Sequence, residues 1–414
     1  MLFTFGFYSS VLLISFTQGI VYSVLLLAKA IKTENKSNYW LSFFIFLCSL
    51  YIAPWMLGFA GWYDNQPYRD ILFYTPFQHL LWIGPIIFFY TQSLLNPSFK
   101  FSKKEALHIL PGLLYLIYII AIWIYDKFIF GDYYFYENGM DKDFEEWYQK
   151  LGLLSMIVYF ILSIRYYNVY KRLMFQVVSY ADSVLFKWIQ TYLIAFLVML
   201  LLPLVFDGVE YFFPEMKSYQ GSWWFYLSFS IVMYYIAITG YSNPTNATIP
   251  FKMSFFDKNP ILLLENSSAN ELEISIDIQY DTVEEAVSPE TAHWKSKIET
   301  LIQAEKLYQN PELTLTDLAK KLETNASVIS KTINQGFQMN FNDYINNFRI
   351  EAVKISLSNG EHKKSTLLGI AFDCGFNSKA TFNRAFKKNT SKTPKEFTKN
   401  LQILYLQHFK TLLS

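Results

Sequence analysis

Residues Thr366–Lys388 read TLLGIAFDCGFNSKATFNRAFKK. Thr366 is a helix-capping residue type, and Leu367, Ile370 and Ala371 come next at a spacing that gathers them on one helical face. Cys374-Gly375-Phe376-Asn377 interrupts that period with turn-forming residues. A second helix over Ser378–Lys388 buries Phe382 and Phe386 and leaves Lys379, Asn383, Arg384 and Lys387 on the opposite face. The stretch therefore reads as two short helices crossing at a tight turn, one packed and one with an open polar face.

The same plan occurs upstream. Thr314 and Asp317 have the spacing of a capping box, Leu315, Leu318, Ala319 and Leu322 form an apolar stripe, and Glu323-Thr324-Asn325 reads as a turn. A helix over about 326–336 buries Ile329 and Ile333 and presents Ser327, Ser330, Lys331 and Asn334 at i, i+3, i+4 and i+7. The two copies are in register: Ala319 and Ala371, small enough to let helices cross closely, lie 52 positions apart, and Ile329 and Phe382 lie 53 apart. Between them, Phe341–Ser358 is an amphipathic helix with Tyr344, Ile345, Phe348, Val353 and Leu357 toward the core. From Lys363 to Ser414 there are ten basic and two acidic residues. Short polar side chains with cations on one face of a helix suit base edges and phosphates in a DNA major groove. The connecting helix is expected to set the two units for successive grooves, about 34 Å apart.

Three segments carry a family resemblance: Phe341-Asn-Asp-Tyr-Ile-Asn-Asn-Phe-Arg349-Ile, then Ile370-Ala-Phe-Asp-Cys-Gly-Phe-Asn-Ser, then Phe382-Asn-Arg-Ala-Phe-Lys-Lys388 with Thr393-Pro394. Together they resemble the AraC-type DNA-binding domain over about residues 295–400. The resemblance implies base reading by Ser327, Ser330 and Lys331 in the first unit and by Lys379, Thr381 and Arg384 in the second. Lys388, at the helix end, is read as a phosphate contact. The sequence departs from the pattern at Ser391, where Gly is usual, and at Glu323, where the second unit has Gly375; both bear on turn geometry. Thr393-Pro394-Lys-Glu396 stands on its own as an N-cap, a Pro at the first helical position and a capping acid.

Upstream the composition changes. Residues 242–289 hold eight acidic residues against Lys252 and Lys258, with frequent Pro, Asn and Ser. They are expected to form an acidic, mostly irregular tether with one short strand around Leu272–Ile278.

Before residue 242 the chain is apolar. Across all 414 residues, hydrophobic side chains make up 52% and aromatic ones 19%, and nine of the ten Trp precede residue 242. Runs of about 20 apolar residues, the length a bilayer demands, occur at 7–28, 39–60, 71–95, 107–125, 149–170, 188–209 and 222–241. The expected fold class is thus all-α: a seven-helix transmembrane bundle (1–241), a linker (242–289) and a soluble helical domain with two helix-turn-helix units (290–414). The membrane half resembles, by architecture, the seven-span halves of membrane-bound AraC-type regulators of bacteria. Met1–Ser10 has no basic residue, so no cleaved signal peptide is expected. The odd connections carry ten Lys and Arg (Lys29, Lys32, Lys36, Lys100, Lys103, Lys104, Arg165, Lys171, Arg172, Lys187), the even ones four (Arg69, Lys127, Lys142, Lys217). Basic loops stay in the cytoplasm, which places the N-terminus outside and the C-terminus inside the cytoplasmic membrane.

Seven helices exceed what an anchor needs, which favours a sensor. His79, Asp207 and Glu210 are the candidate ligand contacts; Asp207 and Glu210 share a helix face, and headgroup-level acids are the plainer reading of both. Gln18, Gln78 and His79 are equally suited to hydrogen bonds between helices. Cys48 and Cys374 build neither a disulfide framework nor a metal site and are expected as small core residues. No catalytic constellation, cofactor motif or metal motif is present. The expected partners are double-stranded DNA, the lipid bilayer, a signal or ligand and, as one open assembly, a second copy of the chain. Two other readings stay open: a transporter-like bundle with a fused regulatory domain, and a receptor signalling through a protein partner.

Overall fold

The computed structural model describes residues 3–137, 145–181, 186–243, 251–252, 261–265, 271–275 and 289–400. Of the charges counted above, Lys142, Asp257, Lys258, Asp277, Asp281, Glu284, Glu285 and Lys410 lie outside the described residues. The chain divides into two compact units, one of Met1–Tyr167 with Trp188–Thr248, the other of Asn168–Lys187 with Ile249–Ser414.

The first unit is built from α1 (Phe7–Thr33), α2 (Lys36–Gly58), α3 (Tyr68–Tyr74), α4 (Leu80–Leu95), α5 (Lys103–Ala106), α6 (Leu110–Ile124), the first part of α7 (Glu145–Val177), α8 (Phe186–Phe212) and α9 (Ser222–Ser242). Among the described residues, six helical stretches are long and apolar enough to cross a membrane: Phe7–Thr33, Lys36–Gly58, Lys103–Phe130, Trp147–Val177, Trp188–Phe212 and Ser222–Ser242. The exception is the stretch 71–95, expected as one span. It is broken into α3 and α4 by non-helical residues 75–79. The cause is Pro76, whose ring disfavours the helical conformation at the residue before it; Thr75 is extended, at φ −86° and ψ 123°. The 16 residues of α4 reach about 24 Å at 1.5 Å per residue. Side chains on nearly every face of α4 are buried, from Ile83 through Phe89 without a gap. A Cβ on Gly84 would stand 2.9 Å from the Tyr159 ring and 3.1 Å from Ser155 O, so the absent side chain lets α4 and α7 approach closely.

Contacts within this unit sort the helix ends into two sets. In one, Thr4 N donates to Ala60 O (3.1 Å), Trp223 Nε1 to Tyr8 O (3.0 Å), and Lys127 pairs with Asp70 (2.8 Å). In the other, Lys36 Nζ donates to Phe99 O (3.4 Å) and Lys29 Nζ to Tyr241 O and Asn243 O. Thus α1, α2, the α3–α4 pair, the α5–α6 rod and α9 each run from one set to the other. Large apolar side chains are exposed along α1, α6 and α8, among them Ile14, Val24, Leu114, Ile117, Ile194 and Leu204.

The second unit adds a small sheet to the otherwise all-α fold, where the sequence predicted mostly irregular chain with one short strand. β1 (Phe251–Lys252), β2 (Ile261–Glu265) and β3 (Glu271–Ser275) pair antiparallel in the order β1-β2-β3. In this register Leu262 stands opposite Ile274 and Leu264 opposite Leu272. The rest is helical: α10 (Pro289–Ala304), α11 (Leu315–Lys321), α12 (Ala326–Lys331), α13 (Phe341–Ser358), α14 (Leu367–Asp373) and α15 (Lys379–Thr390). A further helix opens at Pro394. Cys48 and Cys374 are free and buried, as expected.

Candidate nucleic-acid interface

The first helix pair begins with the capping box at its expected place. Asp317 N donates to Thr314 Oγ1 (3.2 Å) and Thr314 N to Asp317 Oδ2 (3.0 Å). Leu315, Leu318 and Ala319 are buried. Glu323 takes up the turn in the left-handed conformation, φ 52°, and Asn325 caps α12 through Val328 N (2.9 Å). The second helix of the pair differs from the expectation of one α-helix over 326–336. It is α-helical only through Lys331 and winds as a π-turn over Thr332–Gly336. The wider turn rotates the side chains beyond Lys331 about the helix axis. Ser327 and Lys331 are exposed, as read. Ser330 is not: it is 7% exposed. Asn334, half-buried, approaches Ser330 Oγ at 3.5 Å. The four-residue open face is therefore corrected to Ser327 and Lys331.

The second pair repeats the geometry with a longer helix. Thr366 caps α14 through Gly369 N (3.0 Å). Gly375 turns the chain at φ 96°, and a Cβ there would lie 2.2 Å from Tyr308 O, so both conformation and space demand glycine. Ser378 caps α15 by accepting from Thr381 N (3.1 Å). Thr381 is a correction: its hydroxyl lies 2.8 Å from Ser378 Oγ and the residue is 1% exposed, so it serves the cap and does not face outward. Lys379, Asn383, Arg384 and Lys387 are exposed, as expected. The Arg384 guanidinium lies 5.0 Å from the centre of the Phe175 ring. Lys388 is exposed but paired with Asp343 on α13 (2.6 Å). Asn389 Nδ2 donates to Asn347 Oδ1 (3.0 Å) and Lys354 Nζ to Asn389 Oδ1 (2.9 Å), which ties α15 to α13.

Between the pairs, α13 spans the residues the sequence predicted, capped by Asn340 through Asp343 N (2.8 Å). Ile350, Val353 and Leu357 of α13 pack with Ile370, Ala371, Cys374, Phe376, Phe382 and Phe386 into one core. Burial pushes the Cys374 thiol up to about 11, so it stays a neutral packing group at neutral pH. Ser391 adopts φ 58° where glycine is usual, and the Thr393–Glu396 box closes through Thr393 N to Glu396 Oε2 (2.8 Å). Both departures from the family pattern are thus accommodated with the turn intact.

The family model of a helix-turn-helix domain matches residues 318–400, which run from within α11 through α12, α13 and the whole of the second pair. These residues are an AraC-type helix-turn-helix domain. Uncharacterized HTH-type transcriptional regulators of Staphylococcus aureus are similar to it: those of strains COL, MSSA476 and N315 are each 32% identical over 91 residues. That stretch covers 22% of this chain and 12% of each relative. No solved structure matches.

Sequence reasoning missed one feature of the AraC-type domain. Arg349 is 1% exposed, and all five of its N–H groups are satisfied. Nε donates to Tyr308 O (2.8 Å), Nη1 to Ser179 O (2.9 Å) and Asn346 Oδ1 (3.1 Å), and Nη2 to Ser179 Oγ (2.9 Å) and Asn310 O (2.8 Å). Burial pushes the guanidinium down to about 9, which leaves it protonated at neutral pH. Its charge is met by neutral oxygens, two of them on a residue 170 positions earlier. Nothing local in the sequence signals that partner.

The candidate ligand contacts of the first unit are not brought together. His79 lies in the break before α4, buried, its ring stacked on Trp82 at 5.0 Å, with Nδ1 lacking a hydrogen-bond partner. Asp207 is exposed and Glu210 half-buried on α8. Among the described residues no hydrogen bond or ion pair joins His79 to either acid.

Proposed function

We propose that the chain is a membrane-embedded, sequence-specific DNA-binding transcription regulator, with a sensing bundle over 1–241, a linker over 242–289 and the AraC-type domain over 290–414. The observation that carries this reading is the outward face of α15: Lys379, Asn383, Arg384 and Lys387 exposed on a helix whose other face is locked into the core by Phe382 and Phe386. One helix thereby offers three cations and an amide to base edges and phosphates. Ser327 and Lys331 add a smaller contact from α12.

Membrane embedding is supported by the six long apolar helices and by their exposed Ile, Val and Leu, which in water would cost about 25 cal/mol per Å² of apolar surface. A seven-crossing path, with α3 and α4 crossing together, is supported by the two sets of helix ends. Irregular backbone at 75–79 is tolerable at membrane depth where neighbouring helices satisfy its polar groups, as Tyr148 of α7 does by donating its hydroxyl to Gln78 O (2.6 Å). Orientation is supported by the basic connections and by parity. Residues 168–181 belong to the same compact unit as the AraC-type domain. Among the described residues two helices of membrane length, α8 and α9, lie between them, and two crossings return a chain to the side it left.

Two measurements test the proposal. Purified full-length protein in detergent binds duplex DNA with an affinity that falls steeply with salt, because phosphate contacts release counterions; no duplex affinity at low salt removes the reading. Reporter fusions after Trp62, Lys104, Glu145 and Lys171 report outside, inside, outside, inside; two adjacent sites on one side remove the seven-crossing path.

A further inference from the structure

The end of α7 and the residues that follow it do not stand apart from the AraC-type domain. Residues 168–181 fold as part of the second unit, and the last seven of them lie across both helix-turn-helix pairs. Val178 forms an antiparallel bridge with Thr314, the cap of α11, and Ser179 N donates to Leu313 O (3.1 Å). Asn342 Nδ2, at the start of α13, donates to Val178 O (3.3 Å). Arg349 grips both oxygens of Ser179. The Tyr180 phenol is pushed up by burial and by the nearby Glu312 and Asp317 of the first pair. At the other end, the Phe175 ring lies over Arg384 of the second pair. Val178 and Ser179 are buried.

We propose that residues 175–181 are a built-in clamp that competes with DNA for the AraC-type domain. The inference rests on reading that domain as the DNA interface, and it names how the interface is regulated. A side chain that reaches a base edge sits inside the major groove, with duplex on both sides. Phe175 occupies that place beside Arg384, so the clamped domain and the DNA-bound domain exclude each other. Ser179 also completes the hydrogen bonding of a buried cation, which gives the clamp a defined seat. Residues 175–177 are the last turn of α7; a signal that shifts α7 along its axis pulls on Val178 and Ser179 directly through the chain. Release of the clamp frees Arg384 and loosens the junction of the two pairs at Arg349 in one step. A ligand shifts such an equilibrium only by its difference in affinity for the two states, so an effector of this protein favours the withdrawn position of α7.

The test is carried out on full-length protein in detergent, with a random-sequence 30-base-pair duplex at low salt as probe. Ser179→Pro removes the N–H given to Leu313 and breaks the bridge; Phe175→Ala removes the ring that lies against Arg384 and leaves the seat intact. Both changes lie outside the helices of the AraC-type domain, and unchanged helical circular dichroism verifies folding. Ser179→Pro is expected to raise affinity about tenfold, and Phe175→Ala by about threefold. Both variants binding the probe no more tightly than the wild type overturns the clamp and leaves the DNA reading standing. No binding by the wild type or by either variant removes the DNA reading, and the clamp with it.

Discussion

The two helix-turn-helix pairs share one plan and bear different loads. In the first, the outer helix α12 lasts six residues and passes into a π-turn, Ser330 is buried, and Lys331 is its exposed cation. In the second, α15 runs twelve residues with Lys379, Arg384 and Lys387 exposed, and it is pinned to α13 by Lys388–Asp343 and Asn389–Asn347. The turns differ in the same direction: Glu323 strains at φ 52° where Gly375 sits at φ 96° without a side chain to place. Duplication of a fold therefore does not duplicate the face it exposes. On the proposed function the stiffer, more basic pair is the expected reader, and the first pair supplies, at Thr314 and Leu313, the edge on which residues 178–179 rest.

The largest expected effect concerns stability. Phe386, fully buried between Phe382 and Phe397, is the centre of the second pair. Phe386→Ala is expected to cost about 3–5 kcal/mol through lost burial and a residual cavity, read by chemical denaturation of the full chain. A loss below about 1 kcal/mol breaks the view of the second pair as the rigid one. Next comes specificity. Arg384→Ala is expected to remove about 1–3 kcal/mol of preference for a selected site over random DNA, while Ser327→Ala removes less. Equal losses on selected and random DNA make Arg384 a phosphate anchor, and the second pair is then not the reader. The turns give a paired comparison of smaller size. Gly375→Ala is expected to destabilise, because the new Cβ meets Tyr308 O, whereas Glu323→Gly is expected to change stability by less than about 1 kcal/mol, relief of left-handed strain offsetting added chain entropy. A neutral Gly375→Ala removes the contrast. The smallest effect is at Lys388. Its surface pair with Asp343 is worth about 0–1 kcal/mol, so Lys388→Ala barely moves stability. It weakens binding to selected and random DNA alike and lowers the salt slope by about one. An unchanged slope means that Lys388 stays with Asp343 and never meets phosphate.

Much of this architecture was legible because it is local. Capping at Thr314, Thr366 and Thr393 depends on residues three positions apart, and the bounds of α13 come from a helical period and Asn340. The apolar runs that became α1, α2 and α9 needed only composition and length. Pro76 carried a local warning that 71–95 would break, and the hydropathy of the run masked it. Outward placement was less secure. Periodicity assigns a face and does not say what covers it: Thr381 falls on the polar side of α15 by spacing, yet its hydroxyl serves the Ser378 cap. The π-turn after Lys331 has no propensity signature, and it moved Asn334 off the open face.

What the sequence by itself determined is the set of parts: apolar helices of membrane length, an acidic connection, and two capped helix pairs joined by an amphipathic helix. Each arises from interactions within about a turn or two of chain, where residue type and spacing decide the outcome. What only the tertiary structure decided is how distant parts meet. Arg349 was legible as one residue of a family segment, but its two bonds to Ser179 cross 170 positions. The Phe175–Arg384 contact joins residues still more remote in sequence. A buried guanidinium must find five acceptors, and any of many carbonyls in the chain satisfies that need equally well on paper. Which carbonyl it takes is settled by packing, because only the folded chain fixes which oxygens are within about 3 Å, the reach of a hydrogen bond.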